Sequence, residues 1–246
     1  TFGFKYTFLI TAVTITIAAT IIIFGIHEPA IIRKVKNAIY SRKNVIWAIF
    51  HHRLILNVMF VTSLIQIGNF SIQPLLSLYV SELTPSQEVA MLAGVTFSAA
   101  GLGNICFARF WGKLADHYGY ERILSYLLIL AVIFIIPQAF VTELWQLIIL
   151  RFLFGIISGG LIPITSALIR REAPIEVQGE IMGYNQSFRF LGNIIGPVLG
   201  GVVASLGGIH SVFYTTGLLF FIGFVIMSFL KKLPVQYMDE MLKKHG

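Results

Sequence analysis

Seven long apolar runs dominate the chain, at roughly 7–26, 46–70, 89–110, 123–140, 144–169, 181–206 and 211–230. Each is long enough to cross a hydrocarbon core as a helix, which takes about 20 residues. Lipid offers no partner for a backbone N–H or C=O, so helices are expected rather than open strands. The strict alternation of a membrane barrel is missing. The pattern predicts an all-α membrane protein with about seven transmembrane helices.

The runs differ in where they carry polar residues. In the second, Thr62, Gln66, Asn69 and Gln73 fall at helical spacing and form one polar stripe. In the third, Gly94, Ser98, Gly101, Ile105 and Ala108 make a mostly small stripe with Asn104 beside it. The sixth carries Asn185, Arg189 and Asn193 at i, i+4 and i+8, together with Gly192, Gly196 and Gly200. The fourth and seventh are apolar nearly all round. Striped helices should line an aqueous cavity, with the uniformly apolar ones supporting them from the lipid side. The expected cavity face is Gln66, Asn69, Phe70, Gln73, Asn104, Asn185, Phe188 and Arg189. Amides and aromatic rings of this kind hold amphipathic small molecules by hydrogen bonds and stacking, and they also serve as glue between helices.

Charge sets the orientation. The chain is 57% hydrophobic and only 12% charged, about half the charge of a soluble domain. The net charge of +7 sits in loops between apolar runs, where it reads as a topology determinant rather than a nucleic-acid surface. Basic residues crowd the 27–45 connection, the 109–122 region, the 170–180 loop and the C-terminal tail, whereas the alternate connections are poor in Lys and Arg. The positive-inside rule puts the basic set, and with it the C-terminus, in the cytoplasm.

Little else in the chain suggests chemistry. One cysteine, Cys106, excludes an intrachain disulfide and a multi-cysteine metal site. No nucleophile–base spacing, metal-ligand cluster or nucleotide loop is found, so neither an enzyme nor a cofactor is expected. Gly112-Lys113 is followed by Leu114 rather than Ser or Thr. All eleven acidic residues fall in loops or at the ends of the predicted helices.

Three stretches resemble the major facilitator superfamily, in its drug/proton antiporter branch. GKLADHYGYER, Gly112 to Arg122, is similar to the loop signature G-x-L-x-D-R-x-G-R-R; Gly112, Leu114, Asp116, Gly119 and Arg122 match, and His117, Tyr120 and Glu121 replace cations. LRFLFGIISGG, Leu150 to Gly160, is similar to an R-x-x-x-G stretch through Arg151 and Gly155. GNIIGPVLGG, Gly192 to Gly201, resembles the antiporter signature G-x-x-x-G-P-x-x-G-G through Gly192, Gly196, Pro197, Gly200 and Gly201. The resemblance implies gating or conformational roles for Gly112, Asp116, Gly119, Arg122, Arg151, Gly155, Gly192, Gly196, Pro197 and Gly200. Small residues four apart allow close helix approach, and a proline removes a backbone hydrogen bond.

The resemblance also implies an organisation. Residues 1–27 are expected to be a single helix, the sixth of twelve; 28–45 a basic cytoplasmic linker; 46–231 a six-helix C-terminal half-bundle; and 232–246 a cytoplasmic tail. An N-terminal half with an added helix is the other assignment. The implied function is secondary active transport in a cell membrane by alternating access, with proton-coupled export of drugs or other amphipathic small molecules. The implied partners are the lipid bilayer, a small-molecule substrate, the N-terminal bundle of the same transporter, and a proton whose carrier would lie in that other half. Uptake of a small polar or anionic solute, and a truncated membrane fragment without transport, are the alternatives the residues leave open.

Overall fold

A computed structural model describes residues 4–25, 41–84 and 88–230, with side chains from residue 8 onward. The linker from 28 to 40 and the tail from 232 therefore lie outside the described residues. The chain divides into two units, Thr1–Ile39 and Tyr40–Gly246.

The first unit contributes one helix, α1 (Phe4–Gly25), whose window Phe8–Gly25 has a mean hydropathy of 2.4. Its threonine hydroxyls donate to the carbonyls four residues back, Thr14 to Ile10 and Thr16 to Ala12, which hides polar groups that lipid could not satisfy.

The second unit is all helical among the described residues. It runs α2 (Arg42–His51), α3 (Arg53–Ile72), α4 (Leu76–Leu83), α5 (Val89–Tyr118), α6 (Tyr120–Ile135), α7 (Leu144–Glu172), α8 (Gln178–Gly207) and α9 (Ile209–Phe229). Short 3-10 turns at Gln73–Leu75 and Ile136–Phe140 each contain a proline near their start, Pro74 and Pro137. With α1, seven helical segments are long and apolar enough to cross a membrane. The seven expected spans are thus all present.

Three boundaries differ from the sequence expectation. The run at 46–70 is not one helix. His52 adopts an extended conformation (φ −88°, ψ 91°) that ends α2, and its Nδ1 accepts from the Ile55 N–H to start α3. The same span then continues through Pro74 to Leu83, because a 3-10 turn absorbs the proline's missing donor. The stretch from Gly112 is not a loop either: α5 stays helical to Tyr118, and the chain turns at Gly119 alone (φ 96°), a conformation that favours glycine. At the start of α7, Glu143 and Gln146 form a reciprocal capping box that satisfies the first free N–H groups.

Two helix pairs form the frame. Between α3 and α8 the contact is backbone to backbone. A Cβ added at Gly192 would lie 2.6 Å from Cβ of Gln66, one at Gly196 would lie 2.9 Å from the Ile67 carbonyl oxygen, and one at Gly200 would collide with the Ser71 carbonyl. The pair α5 and α7 meets in the same way. Added Cβ atoms at Gly103, Gly155 and Gly159 would strike Phe152, Ala100 and Asn104 backbone atoms respectively. Trp111 Nε1–H donates to the Ile156 carbonyl at 2.7 Å across that seam.

Helices α6 and α9 pack behind these pairs, α6 on α7 and α9 on both α3 and α6. Thr216 on α9 bonds Ser71 Oγ at 3.1 Å, so the back layer is tied to α3 by hydroxyls as well as by Phe213 and Phe220, both buried. At one end, Tyr79 donates to the Gln138 carbonyl at 2.7 Å and His210 Nδ1 lies 2.6 Å from the Ala139 carbonyl, joining α4, the second 3-10 turn and α9.

Gly155→Leu and Gly200→Leu drive a side chain into a facing backbone and should each destabilise the detergent-purified protein by about 1–3 kcal/mol or more. Gly112→Ala meets open space and should hold or raise the melting temperature, since Ala is about 1 kcal/mol the better helix former. His52 titrates outside the spans. Burial of its side chain holds its pKa below the usual 6.5. The unfolded chain then binds more protons as pH falls below about 6.5, so this contribution is complete above that pH and is lost on acidification. A series of melts between about pH 7.5 and pH 5 should show a smaller acid loss in His52→Gln than in the parent.

Candidate functional site

The two tight pairs leave a cavity of about 470 Å³ between them. Its walls come from α3 and the turn after it (Gln66, Asn69, Phe70, Gln73), from α4 (Leu76), from α5 (Phe97, Ala100, Gly101, Asn104), from α7 (Arg151, Phe154, Ser158, Gly159, Ile162, Pro163) and from α8 (Arg189). Helices α6 and α9 supply no lining residue. The division into striped lining helices and apolar supporting helices is therefore the one expected from the side-chain pattern.

Six of the eight expected cavity residues lie in this wall: Gln66, Asn69, Phe70, Gln73, Asn104 and Arg189. Asn185 and Phe188 are not among the lining residues. Asn185 is 1% exposed and packs inside the bundle, and Phe188 packs against the core. Gln66 does double duty. Its Nε2 donates to Asn193 Oδ1 at 3.0 Å, bridging α3 and α8. Such a bond within a membrane is worth about 0.6 kcal/mol on average, so it sets the register of a seam that the glycines already hold close.

Arg151, grouped by sequence with the gating positions, is a cavity residue. It is 7% exposed, and its guanidinium carbon sits 5.9 Å from the centre of the Phe213 ring. Its Nε and Nη2 are buried without a hydrogen-bond partner. The side chain thus faces protein and cavity rather than reaching outward to a headgroup. Arg189 donates through Nη1 to Gln186 Oε1 at 2.9 Å, while its Nε is buried and unbonded. Among the described residues no acidic side chain lines the cavity.

The other gating positions lie elsewhere. Gly192, Gly196 and Gly200 face α3, and Gly155 faces α5. Pro197 lies inside α8, which continues through it. Asp116 accepts a hydrogen bond from the Tyr120 hydroxyl across the Gly119 turn. The Arg171 guanidinium stands 6.0 Å from the Tyr120 ring centre, so the end of α7 meets this turn through the ring. Gly112 and Arg122 lie on either side of the turn, Gly112 in α5 and Arg122 exposed in α6.

Among the lining residues that sequence reasoning missed are Phe97, Ser158, Ile162 and Pro163. None belongs to a polar stripe, and Phe97 and Ile162 are chemically the same as lipid-facing neighbours. Their only advance signal was proximity in helical register to Gly101 and Arg151.

Comparison with known proteins fits this architecture. A model of the Major Facilitator Superfamily matches residues 58–240. The chain is 49% identical over 233 residues to the uncharacterized MFS-type transporter YuxJ of Bacillus subtilis (strain 168), covering 94% of this chain and 59% of that protein. It is 38% identical over 218 residues to the multidrug resistance protein MdtG of Dickeya zeae (strain Ech586), covering 88% of this chain and 53% of that protein. The chain spans about half the length of the curated relatives it matches. Among solved structures, the in meso crystal structure of the POT family transporter PepTSo superposes with a TM-score of 0.62 at 16% identity, covering 72% of this chain and 37% of that one. That likeness concerns the fold alone. With seven candidate spans, a six-span bundle of glycine-sealed pairs and a family match over most of its length, this chain belongs to the major facilitator superfamily, a family of membrane transporters.

Proposed function

We propose that this chain is the C-terminal half-bundle, with one preceding helix, of a proton-coupled exporter of amphipathic small molecules in the drug/proton antiporter branch. The observation that carries the reading is the cavity. It combines amides (Gln66, Asn69, Gln73, Asn104), aromatic faces (Phe70, Phe97, Phe154) and two cations in one wall reached by four long helices. A surface with both stacking and hydrogen-bonding groups suits molecules that are partly apolar. The likeness to proteins named for multidrug resistance supports the same direction.

In secondary transporters the substrate site lies near the midplane between two bundles that rock around it. The cavity wall here is one side of such a site, and the complementary bundle supplies the other. Gly192, Gly196 and Gly200 let α8 move against α3 as a closely fitted pair, with Pro197 the bend point of α8. The proton carrier belongs to the complementary bundle. Among the described residues every carboxylate stands at a helix end or in a loop: Glu82, Glu88, Asp116, Glu121, Glu143, Glu172, Glu176 and Glu180. A proton-coupling carboxylate works from a buried position within the span. The basic connections put Gly119, the 173–177 loop and the C-terminus on the cytoplasmic side.

The protein expressed from its complete gene and reconstituted in vesicles should move an amphipathic dye, tested with neutral, carboxylated and cationic examples, in response to an imposed pH gradient. A protonophore should abolish that movement. Asn104→Leu should reduce it at least about tenfold by removing a cavity amide without lowering the amount inserted. Absence of gradient-driven movement of every dye, in a well-inserted protein, rules the reading out. A fluorescent protein fused to the C-terminus should light up and a phosphatase fusion should stay silent; the reverse pattern contradicts the orientation.

A further inference from the structure

Arg151 poses a question that the cavity's shape does not answer. A guanidinium carries five N–H donors and no acceptor, and it stays charged in a protein. Placing it within a span is expensive unless another group offsets the charge. Here it is 7% exposed, and Nε and Nη2 lack hydrogen-bond partners. Its nearest recorded ring is Phe213, whose face attracts a cation without accepting its N–H bonds.

Among the described residues no carboxylate forms an ion pair with it. The cavity wall, as far as the residues are described, holds no acidic side chain. The second cation, Arg189, adds charge of the same sign and already spends one N–H on Gln186. The two stand at different levels. Helices α7 and α8 are joined by residues 173–177, so their adjoining ends share a depth. Counting at about 1.5 Å per residue from there, Arg151 lies about 32 Å along α7 and Arg189 about 17 Å along α8. The gap of about 15 Å is too long for one compact group to bridge. Arg151 is therefore a separate station, next to the α7 start and walled by aromatic rings.

We propose that Arg151 is the anion-recognising residue of the cavity: the transported molecule carries a carboxylate, or an oxyanion of the same charge and shape, on an aromatic or aliphatic body, and that group docks on the unbonded guanidinium edge. The inference rests on the transporter reading and names its substrate class. The planar fork matches a carboxylate in two parallel N–H···O bonds, while Phe154 and Phe97 receive the apolar body. A cationic amphiphile meets two like charges in the same cavity and is disfavoured. Arg151 thereby determines specificity through charge, separately from the glycine seams that carry motion.

The test is binding of radiolabelled 1-naphthoate and of neutral 1-naphthamide to the purified protein from the complete gene, by equilibrium dialysis at about pH 7.5, where the acid is ionised. The parent should bind naphthoate at least about tenfold more tightly than the amide, as a charge-assisted pair provides. Arg151→Gln should bring the two to within about twofold of each other, chiefly by weakening naphthoate. Arg151→Lys keeps the charge but loses the fork, and should fall between; it carries the test if the Gln variant does not fold. Equal binding of both probes by the parent overturns the inference, and that is also the result expected if a carboxylate of the complementary bundle occupies Arg151. An unchanged preference in the Gln or Lys variant overturns it too. Because dialysis needs no gradient, proton-driven dye movement without a naphthoate preference defeats this inference alone. A naphthoate preference without any transport defeats the transporter reading and leaves the anion site standing.

Discussion

Everything in this bundle depends on how closely two pairs of helices approach. In water, apolar faces are pressed together by the solvent. In lipid that push is absent, because the acyl chains are as apolar as leucine. What remains is dispersion between surfaces that fit, and it falls steeply with distance. Glycines at 192, 196 and 200 on α8 and at 155 and 159 on α7 let backbone touch backbone. The glycines are thus the condition for the cavity: they hold α8 on α3 and α7 on α5, and the space left between the two pairs is the site.

The proposed transport cycle needs a rigid wall that can move, and the same seams suit it. A seam of backbone contacts has no long side chains to unlock, so one helix can shift on the other at little cost in rotamers. The back layer behaves differently. Phe220 and Thr216 anchor α9 on α3 by side chains packed at Gly68 and by hydroxyl bonds. The proposed motion therefore belongs to the front of the bundle, with the back layer holding it together. Arg151 lies between the two, touching Phe213 behind and the cavity in front.

Much of this was legible in the residues, and the failures have physical causes. Spans are legible because hydropathy integrates over some twenty positions, and all seven were found. The division between lining and supporting helices was legible because a polar stripe on an apolar helix has few other uses. Boundaries were less so. The apolar run through 46–70 hides a break at His52, since an extended residue between two helices changes the backbone without changing the average polarity. The stretch from Gly112 to Arg122 looks like a loop because it is polar, yet a helix emerging from the bilayer can stay helical in polar surroundings, and only Gly119 breaks it. Direction was the hardest. Asn185 shares a helix with Arg189, but α8 turns it into the bundle. Arg151 was visible as a charge at depth, whereas its inward aim depends on the aromatic packing of α4 and α9, which no local pattern encodes.

The central claim is that the space between the two glycine-sealed pairs is a water-reachable site and not a lipid-filled groove. Its most direct test is thiol accessibility in the membrane-embedded protein, in a Cys106→Ser background because that thiol is exposed. Single cysteines at Asn69, Asn104 and Ser158 should react with a small, charged, membrane-impermeant thiol reagent. Cysteines at Leu127 and Phe220, which are fully buried in the back layer, should stay inert. Inert thiols at all three cavity positions, in protein that is otherwise folded, would contradict the account and leave the polar stripes as interhelical glue.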